Sequence, residues 1–269
     1  MLEAWQVAGM AGRSLGICAA LGVSVGMYGM FAPRSNLWGK VYYRGAADSA
    51  PRVALTFDDG PCPATTPAVL DALGELGAKG TFFVIGSQAL AHPEIVARIA
   101  AEGHIVANHS FDHAYYGTMR RWRYWRPQIR RTADAIEQII GRRSAMFRPP
   151  MGFKTPHVIR SARAEGHAVI TWSRRAFDSV IGSRSWILGR LGSRTQAGEI
   201  VALHDGSDWR RERRKMGIIA EVVKPLVMQL RGRGLAIAPL DELLKLPAYA
   251  GGQALVENAA NHRFAGAGS

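Results

Sequence analysis

Cysteine is scarce in this chain, with only Cys18 and Cys62 among 269 residues. Two cysteines make no disulfide framework, so they leave the redox compartment open. Cys62 has no histidine beside it to activate a thiolate, which favours a passive small residue over a nucleophile. Acidic residues are also in deficit, 21 against 34 lysines and arginines, for a formal net charge of +13. Such an excess favours an anionic neighbour (phospholipid, acidic glycan or nucleic acid) or simply gives a basic, soluble surface. No internal repeat is visible. Apolar residues are not lacking: at 48% they suffice for a packed core and exclude a disordered chain.

One long uncharged run occurs, the eighteen residues from Ser14 to Phe31, preceded by Arg13 and followed by Arg34, Lys40 and Arg44. Its length just reaches that of a membrane span. Three readings stand side by side: an anchoring helix, a cleaved signal peptide lacking a clear small-x-small cleavage site, and a buried helix packed on the domain. The flanking charges would place the following domain in the cytoplasm, a cleaved signal would place it outside, and the membrane face stays undetermined. Trimming residues 1–35 is expected to leave a soluble, active domain.

Beyond this run, short apolar stretches alternate with amphipathic ones. Val53–Phe57, Thr81–Ile85, Ile105–Ala107, Met146–Phe147, Ala168–Trp172, Ile200–Leu203 and Leu235–Ala238 suit buried strands. Thr66–Leu76, Pro93–Ala101, Ile129–Ile140, Pro156–Ala164 and Ile218–Leu230 suit helices. Alternation of this kind predicts an α/β fold with parallel strands and helical crossovers. Reactive side chains cluster at the C-terminal ends of the strands: Asp58, Asp59, His109, Arg148, Asp178 and His204. That is where a (β/α) barrel carries its site. Three regions follow: a membrane anchor or signal-like segment over 1–35, a catalytic domain over 50–246, and a flexible Gly- and Ala-rich tail over 247–269.

Two segments concentrate the chemistry, TFDDGP at 56–61 and HSFDH at 109–113. The first places two adjacent carboxylates at a strand end. The second places two imidazoles at i and i+4, predicting one face of a helical turn. Two histidines and one carboxylate form a known three-ligand set for a zinc-type ion with an open position. The other aspartate is then a candidate base for bound water. Taken singly, each has a plainer reading: Asp-Asp-Gly-Pro as a turn, the histidines as ordinary surface or core residues, Arg148-Pro149-Pro150 as a rigid loop.

The segments TFDDGP, TFFVIG at 81–86, GHIVANHSFDH at 103–113, FRPPMG at 147–152, TWSRRAFDS at 171–179 and IVALHDG at 200–206 together resemble the polysaccharide deacetylases of the NodB-homology type, carbohydrate esterase family 4. The resemblance runs from about Val53 to Leu240. It implies a distorted, incomplete (β/α) barrel of about seven parallel strands and a metal-dependent N- or O-deacylase. Asp58 would be the catalytic base. Asp59, His109 and His113 would hold one divalent ion, Zn²⁺ by default, with Co²⁺ or another ion able to serve. Arg148 would orient Asp58, and Asp178 would orient His204, the general acid. The expected substrate is an acylated amino sugar. The oxyanion would be met by the ion and a backbone N–H, that of Met151 following Pro149 and Pro150.

The chain departs from the family pattern in two motifs. Where members read Asp-x-x-Asp-Trp, this chain has Arg175-Ala176-Phe177-Asp178-Ser179, and Ala202 stands where Leu is usual. Small residues at Ser179 and Ala202, beside Trp172, would open the acyl pocket to groups larger than acetyl, unless Phe177, Trp172 or Trp209 refills the gap. Arg175 could also compete with His204 for Asp178.

Finally, Met119 to Arg131 mixes six arginines with two tryptophans and a tyrosine. This composition suits an anionic membrane surface or an anionic or lipid-linked glycan. Without a nucleic-acid-binding motif beside it, a nucleic-acid partner is not expected. Arg210 to Lys215 would extend the same surface. A catalytically silent carbohydrate- or membrane-binding protein on the same fold is the alternative. Against it, Asp58, Asp59, His109, His113, Arg148 and His204 are all present.

Overall fold

The computed structural model describes residues 21–46, 50–114, 117, 120–178, 180–206 and 213–251. Residues 21–31 form helix α1. Strand β1 (Arg52–Asp58) opens the sheet, and α2 (Thr66–Gly74), β2 (Thr81–Val84), α3 (Gly86–Ala91), α4 (Pro93–Ala101) and β3 (Ile105–Asn108) follow. Next come α5 (Trp122–Ile140), β4 (Met146–Phe147), α6 (Pro156–Ala164), β5 (Ala168–Val169), β6 (Arg174–Arg175) and α7 (Arg184–Leu191). The remainder comprises β7 (Ile200–His204), α8 (Arg213–Gly232), β8 (Ala236–Ile237) and α9 (Leu240–Leu244).

The strand order is β5-β4-β3-β2-β1-β7-β6, with β8 also paired to β1, and every pairing between strands is parallel. The two ends, β5 and β6, do not meet, so the barrel is incomplete, as expected. Period-two alternation sorts the side chains of β1. Val53, Leu55 and Phe57 join the cluster under the helices, with Val201 and Leu203 of β7. Ala54 turns the other way, into the barrel interior, with Phe83, Ala107, Ile200 and Ala202. Thr56 and Asp58 share that interior face by the same alternation.

Several elements differ from their expected bounds. The Ala168–Trp172 run pairs only over two residues, because Arg148 and the N-terminal segment take the groups beyond. Arg148 Nη2 donates to the Thr171 carbonyl, and the Thr171 hydroxyl donates to the Pro33 carbonyl. Strand β6 was not legible as a strand, being two arginines. Helix α5 starts seven residues before Ile129, at Trp122, with Pro127 inside it. Pro127 is the sixth residue of the helix, past the donors that a helix start leaves unpaired, so it removes one intrahelical bond, that to the Arg123 carbonyl.

The described chain after α9 is bonded to the domain. Val106 N donates to the Tyr249 hydroxyl, Ala145 N to the Ala248 carbonyl and Ala250 N to the Arg143 carbonyl. These bonds tie Ala248, Tyr249 and Ala250, the first part of the tail expected from residue 247, to the domain; the rest of that tail, 252–269, lies outside the described residues. The long uncharged run is only partly described, from residue 21 on. Among the described residues no helix is long and apolar enough to cross a membrane. The end of α1 is tied to the domain: Lys154 N donates to the Met30 carbonyl, and Phe31 meets Phe153 edge-on at 4.7 Å between ring centroids.

Candidate metal centre and active site

Strand register brings the ends of the chain's chemistry together. Asp58 and His204 are partners across β1 and β7, so two residues far apart in sequence project side by side from the C-terminal edge. Arg148, fully buried after β4, fixes Asp58. Its Nη1 donates to Asp58 Oδ1 at 2.6 Å and to Thr56 Oγ1 at 2.8 Å, and its Nη2 donates to the Thr171 carbonyl at 3.0 Å. The guanidinium lies 4.0 Å from the Phe83 ring centroid. Burial draws the Arg148 pKa downward and Asp58 opposes it. The fork holds one carboxylate oxygen and leaves the other to the site.

Asp59 turns away from Asp58 because its backbone is left-handed, at φ 72°, a conformation that short polar side chains tolerate. Its Oδ1 lies 3.2 Å from His109 Nε2 and 3.1 Å from His113 Nε2. These three are the group among the described residues whose ligand atoms, all within 4.8 Å of one another, could hold an ion. The His109 tautomer follows from its other nitrogen. Nδ1 lies 2.8 Å from the Arg148 carbonyl, which can only accept, so Nδ1 carries the proton and Nε2 presents a lone pair. That lone pair faces Asp59 Oδ1, a buried oxygen with no hydrogen-bond donor. Two acceptors confronting each other are repulsive unless a cation lies between them. Donors about 2.0–2.1 Å from a tetrahedral ion stand about 3.3 Å apart. The donor set therefore fits a divalent metal.

The expected helical turn over 109–113 is not present. The segment is a loop in which Ser110 (φ 69°) and His113 (φ 48°) are left-handed. Side chains, not a helical ladder, take up its amides. Ser110 N donates to Asn108 Oδ1, and both Phe111 N and Asp112 N donate to Gln128 Oε1 of α5. The loop still brings the two imidazoles together, at 5.1 Å between centroids.

Across the site, Asp178 grips His204 at two points. It accepts from the His204 backbone amide at 2.8 Å and lies 3.1 Å from Nδ1. Burial pulls the imidazole down, but Asp178, with Asp59 and Asp58 beyond it, raises its pKa to about 10. His204 is therefore an imidazolium near neutrality, with Nδ1 bound and its other N–H available.

Residues 45–170 match the sequence profile of the polysaccharide deacetylases. A peptidoglycan-N-acetylglucosamine deacetylase of Bacillus cereus is 30% identical over 200 residues, covering 72% of this chain and 88% of the relative. A chitooligosaccharide deacetylase of Bradyrhizobium is 32% identical over 222 residues, 80% of this chain and 97% of the relative. The chain belongs to the polysaccharide deacetylase family. A family 4 carbohydrate esterase from Streptomyces lividans, solved with acetate, superposes with a TM-score of 0.62 at 28% identity, covering 70% of this chain and 92% of that one.

The positions where this polysaccharide deacetylase departs from its family have separate fates. Arg175 does not take Asp178 from His204; it stacks 4.1 Å from the Phe177 ring centroid and 5.6 Å from that of Trp172. Ala202 lies in the interior, buried, two residues before His204. Ser179 lies outside the described residues. Trp172 is buried against Gly152, whose φ of 69° and lack of a Cβ make room for the indole. Pro150, Met151 and Gly152 make a single 3₁₀ turn in which Met151 is left-handed at φ 54°. Pro150 is buried and the Met151 side chain is exposed at the rim.

Three supporting residues escaped the sequence reading. Thr56 shares Arg148 with Asp58, and its signal was a hydroxyl inside an apolar strand. Gln128 organises the histidine loop from a distant helix, without any local signal. Asp205, directly after His204, is buried and accepts from Thr66 Oγ1 at 2.6 Å. Burial, reinforced by Asp59 and Asp58, pushes its pKa up to about 7. Its carboxyl fills the space where a Cβ on Gly60 would lie.

The arginine-aromatic stretch keeps five of its six arginines exposed, Arg120, Arg121, Arg123, Arg130 and Arg131, while part of it packs on the protein. Trp125 is buried. Arg126 and Arg130 both donate to Glu165, and Arg131 lies 3.6 Å from the Phe111 ring centroid. Trp122 remains exposed. The side chains of 210–215 lie outside the described residues.

Proposed function

We propose that the protein is a metal-dependent hydrolase that removes an N-acyl group from an amino sugar of a polysaccharide, oligosaccharide or lipid-linked glycan. The observation that carries this reading is the confrontation of His109 Nε2 with Asp59 Oδ1, beside an Asp58 already oriented by Arg148. Deacetylases of peptidoglycan and chitooligosaccharides among the relatives support the substrate class.

Asp59, His109 and His113 would hold the ion, with Zn²⁺ the first choice for a two-imidazole, one-carboxylate set and Co²⁺ a workable substitute. When bound, it would supply Lewis-acid activation of a water and of the acyl oxygen. Asp58 takes the proton of the attacking water on the oxygen that Arg148 leaves free. Charge developing on the acyl oxygen is met by the Met151 amide. As the C–N bond breaks, His204 gives its proton to the departing nitrogen, while Asp178 retains Nδ1. The products are a free carboxylic acid and an amino sugar.

The small side chain of Ala202 below His204 supports a pocket that admits acyl groups longer than acetyl. Exposed Leu21, Val23, Val25 and Met27 on α1 support the reading of 1–35 as an anchor at an anionic membrane surface.

The direct test measures free carboxylic acid released from a panel of N-acyl glucosamines and their oligomers. Release is expected from the wild type, abolished by chelator, restored by Zn²⁺ or Co²⁺, and absent in Asp58→Asn. Release that survives thorough chelation overturns the reading.

A further inference from the structure

A cleft of about 490 Å³ runs along the outer side of Trp172. It is lined by Arg34, Arg44, Arg174, Arg175 and Arg190, with Glu199 as the one acid, together with Tyr28 and Tyr43. Glu199 is already committed to Arg174 through two hydrogen bonds of 2.9 Å. The other four arginines have no carboxylate within ion-pair reach among the described residues. Two of them crowd each other: Arg190 Nε donates to the Arg175 carbonyl, and both guanidiniums lie over the Phe177 ring, at 5.5 and 4.1 Å from its centroid. Burial, then the charge of Arg190, presses the Arg175 pKa downward. Gathering like charges in a concave surface is unfavourable without an anion to share.

The position matters as much as the charge. Trp172 lines the cleft and also lies beside the arginine that fixes Asp58. Arg175 lies 5.6 Å from its ring centroid and Arg148, the partner of Asp58, also lies 5.6 Å from it. One indole and one guanidinium therefore connect the cleft to the candidate base. Arg175 itself stands where the family pattern has an acid, so the reversal of sign belongs to this chain.

We propose that this cleft binds a phosphate ester presented beside the acylated sugar. A phosphate brings up to two negative charges and three strong acceptor oxygens, which suits several guanidiniums better than a lone carboxylate would. The tyrosines at the cleft wall suit the apolar face of a sugar ring. Placing the phosphate on or next to the substrate rests on the deacylase reading; binding of a phosphate ester in the cleft does not.

The test uses the full chain and calorimetric titration at low salt. N-acetylglucosamine 1-phosphate and N-acetylglucosamine are compared, with vesicles of phosphatidylglycerol against phosphatidylcholine as a second arm. The phosphorylated sugar is expected to bind at least tenfold more tightly than the neutral one. Arg175→Gln and Arg190→Gln are expected to remove most of that advantage. Arg34→Gln, on the N-terminal segment outside the barrel wall, should also reduce it, and thermal melts identify any variant that fails to fold. Sugar phosphate binding places the ester on the saccharide; preference for phosphatidylglycerol alone, lost in the same variants, places it on a lipid headgroup. Equal affinity for charged and neutral ligands in both arms, or an advantage that survives all three substitutions, overturns the proposal. In kinetics the ratio of kcat/KM for phosphorylated over neutral substrate should fall in the same variants. A wild type that binds the phosphate but hydrolyses nothing refutes the deacylase reading and leaves the cleft standing.

Discussion

Replacing Arg148 with methionine isolates the most buried charge in the site. Arg148 is wholly inaccessible and its Nη1 lies 2.6 Å from Asp58, itself 3% exposed. Methionine follows the arginine stem as far as Nε and carries no charge, so the change leaves a buried carboxylate without its cation. Breaking such a pair from one side costs about 3–5 kcal/mol. For a domain of this size, each kcal/mol moves the melting temperature by about 2–4 °C, so a fall of about 6–20 °C is expected. Thr56 Oγ1 and the Thr171 carbonyl lose their donor at the same time, which argues for the upper half of that range. Adding Asp58→Asn to Arg148→Met removes the second charge and should recover most of the loss, because no uncompensated ion is left inside. Neither variant should hydrolyse substrate, one having a misplaced base and the other none. Urea titration of the wild type, both single variants and the pair gives the coupling directly. A single variant as stable as the wild type, or a pair no more stable than Arg148→Met, refutes the reasoning.

Asp178→Asn should bring the His204 pKa down from about 10 towards or below its ordinary 6.5, since burial alone lowers it. The alkaline limb of the pH–rate profile then moves to lower pH, and an unmoved limb excludes the pairing as its cause. The same linkage sets stability. The raised pKa contributes fully below about pH 6.5 and is lost as the pH rises through about 10, so the wild type's advantage over Asp178→Asn, followed by urea titration, should shrink across that window. Gly152→Ala places a methyl group in the Trp172 indole at a positive φ and should destabilise by about 1–3 kcal/mol; a neutral change would show that the turn can yield. Finally, rates on acetyl, butyryl and longer N-acyl glucosamines should differ by less than about tenfold, which is about 1.4 kcal/mol, and a strong acetyl preference would mean that the space beside Ala202 is filled.

Much of this architecture could be read from the chain because period-two alternation and strand-end chemistry coincide. Val53, Leu55 and Phe57 announce one face of β1, and Thr56 and Asp58 inherit the other. What could not be read depends on contacts made at a distance. The loop of His109 and His113 has helical spacing but no helix, because Asn108 and Gln128 capture its amides. Arg174 and Arg175 show no apolar pattern, and pairing with β7 alone makes them a strand. The arginine-rich entry to α5 is the surface feature its composition announces, but its anchoring to Glu165, thirty-five or more residues away, could not be read locally.

Lys154 gives the N-terminal segment an unexpected standing. Its ammonium, drawn down to about 8 by burial, donates to the carbonyls of Ala32 and Pro33. Those two residues behave as internal solvation for a hidden cation rather than as a leash. A shortened protein beginning at residue 36 would strip that solvation from Lys154, just beyond the Pro150–Gly152 turn.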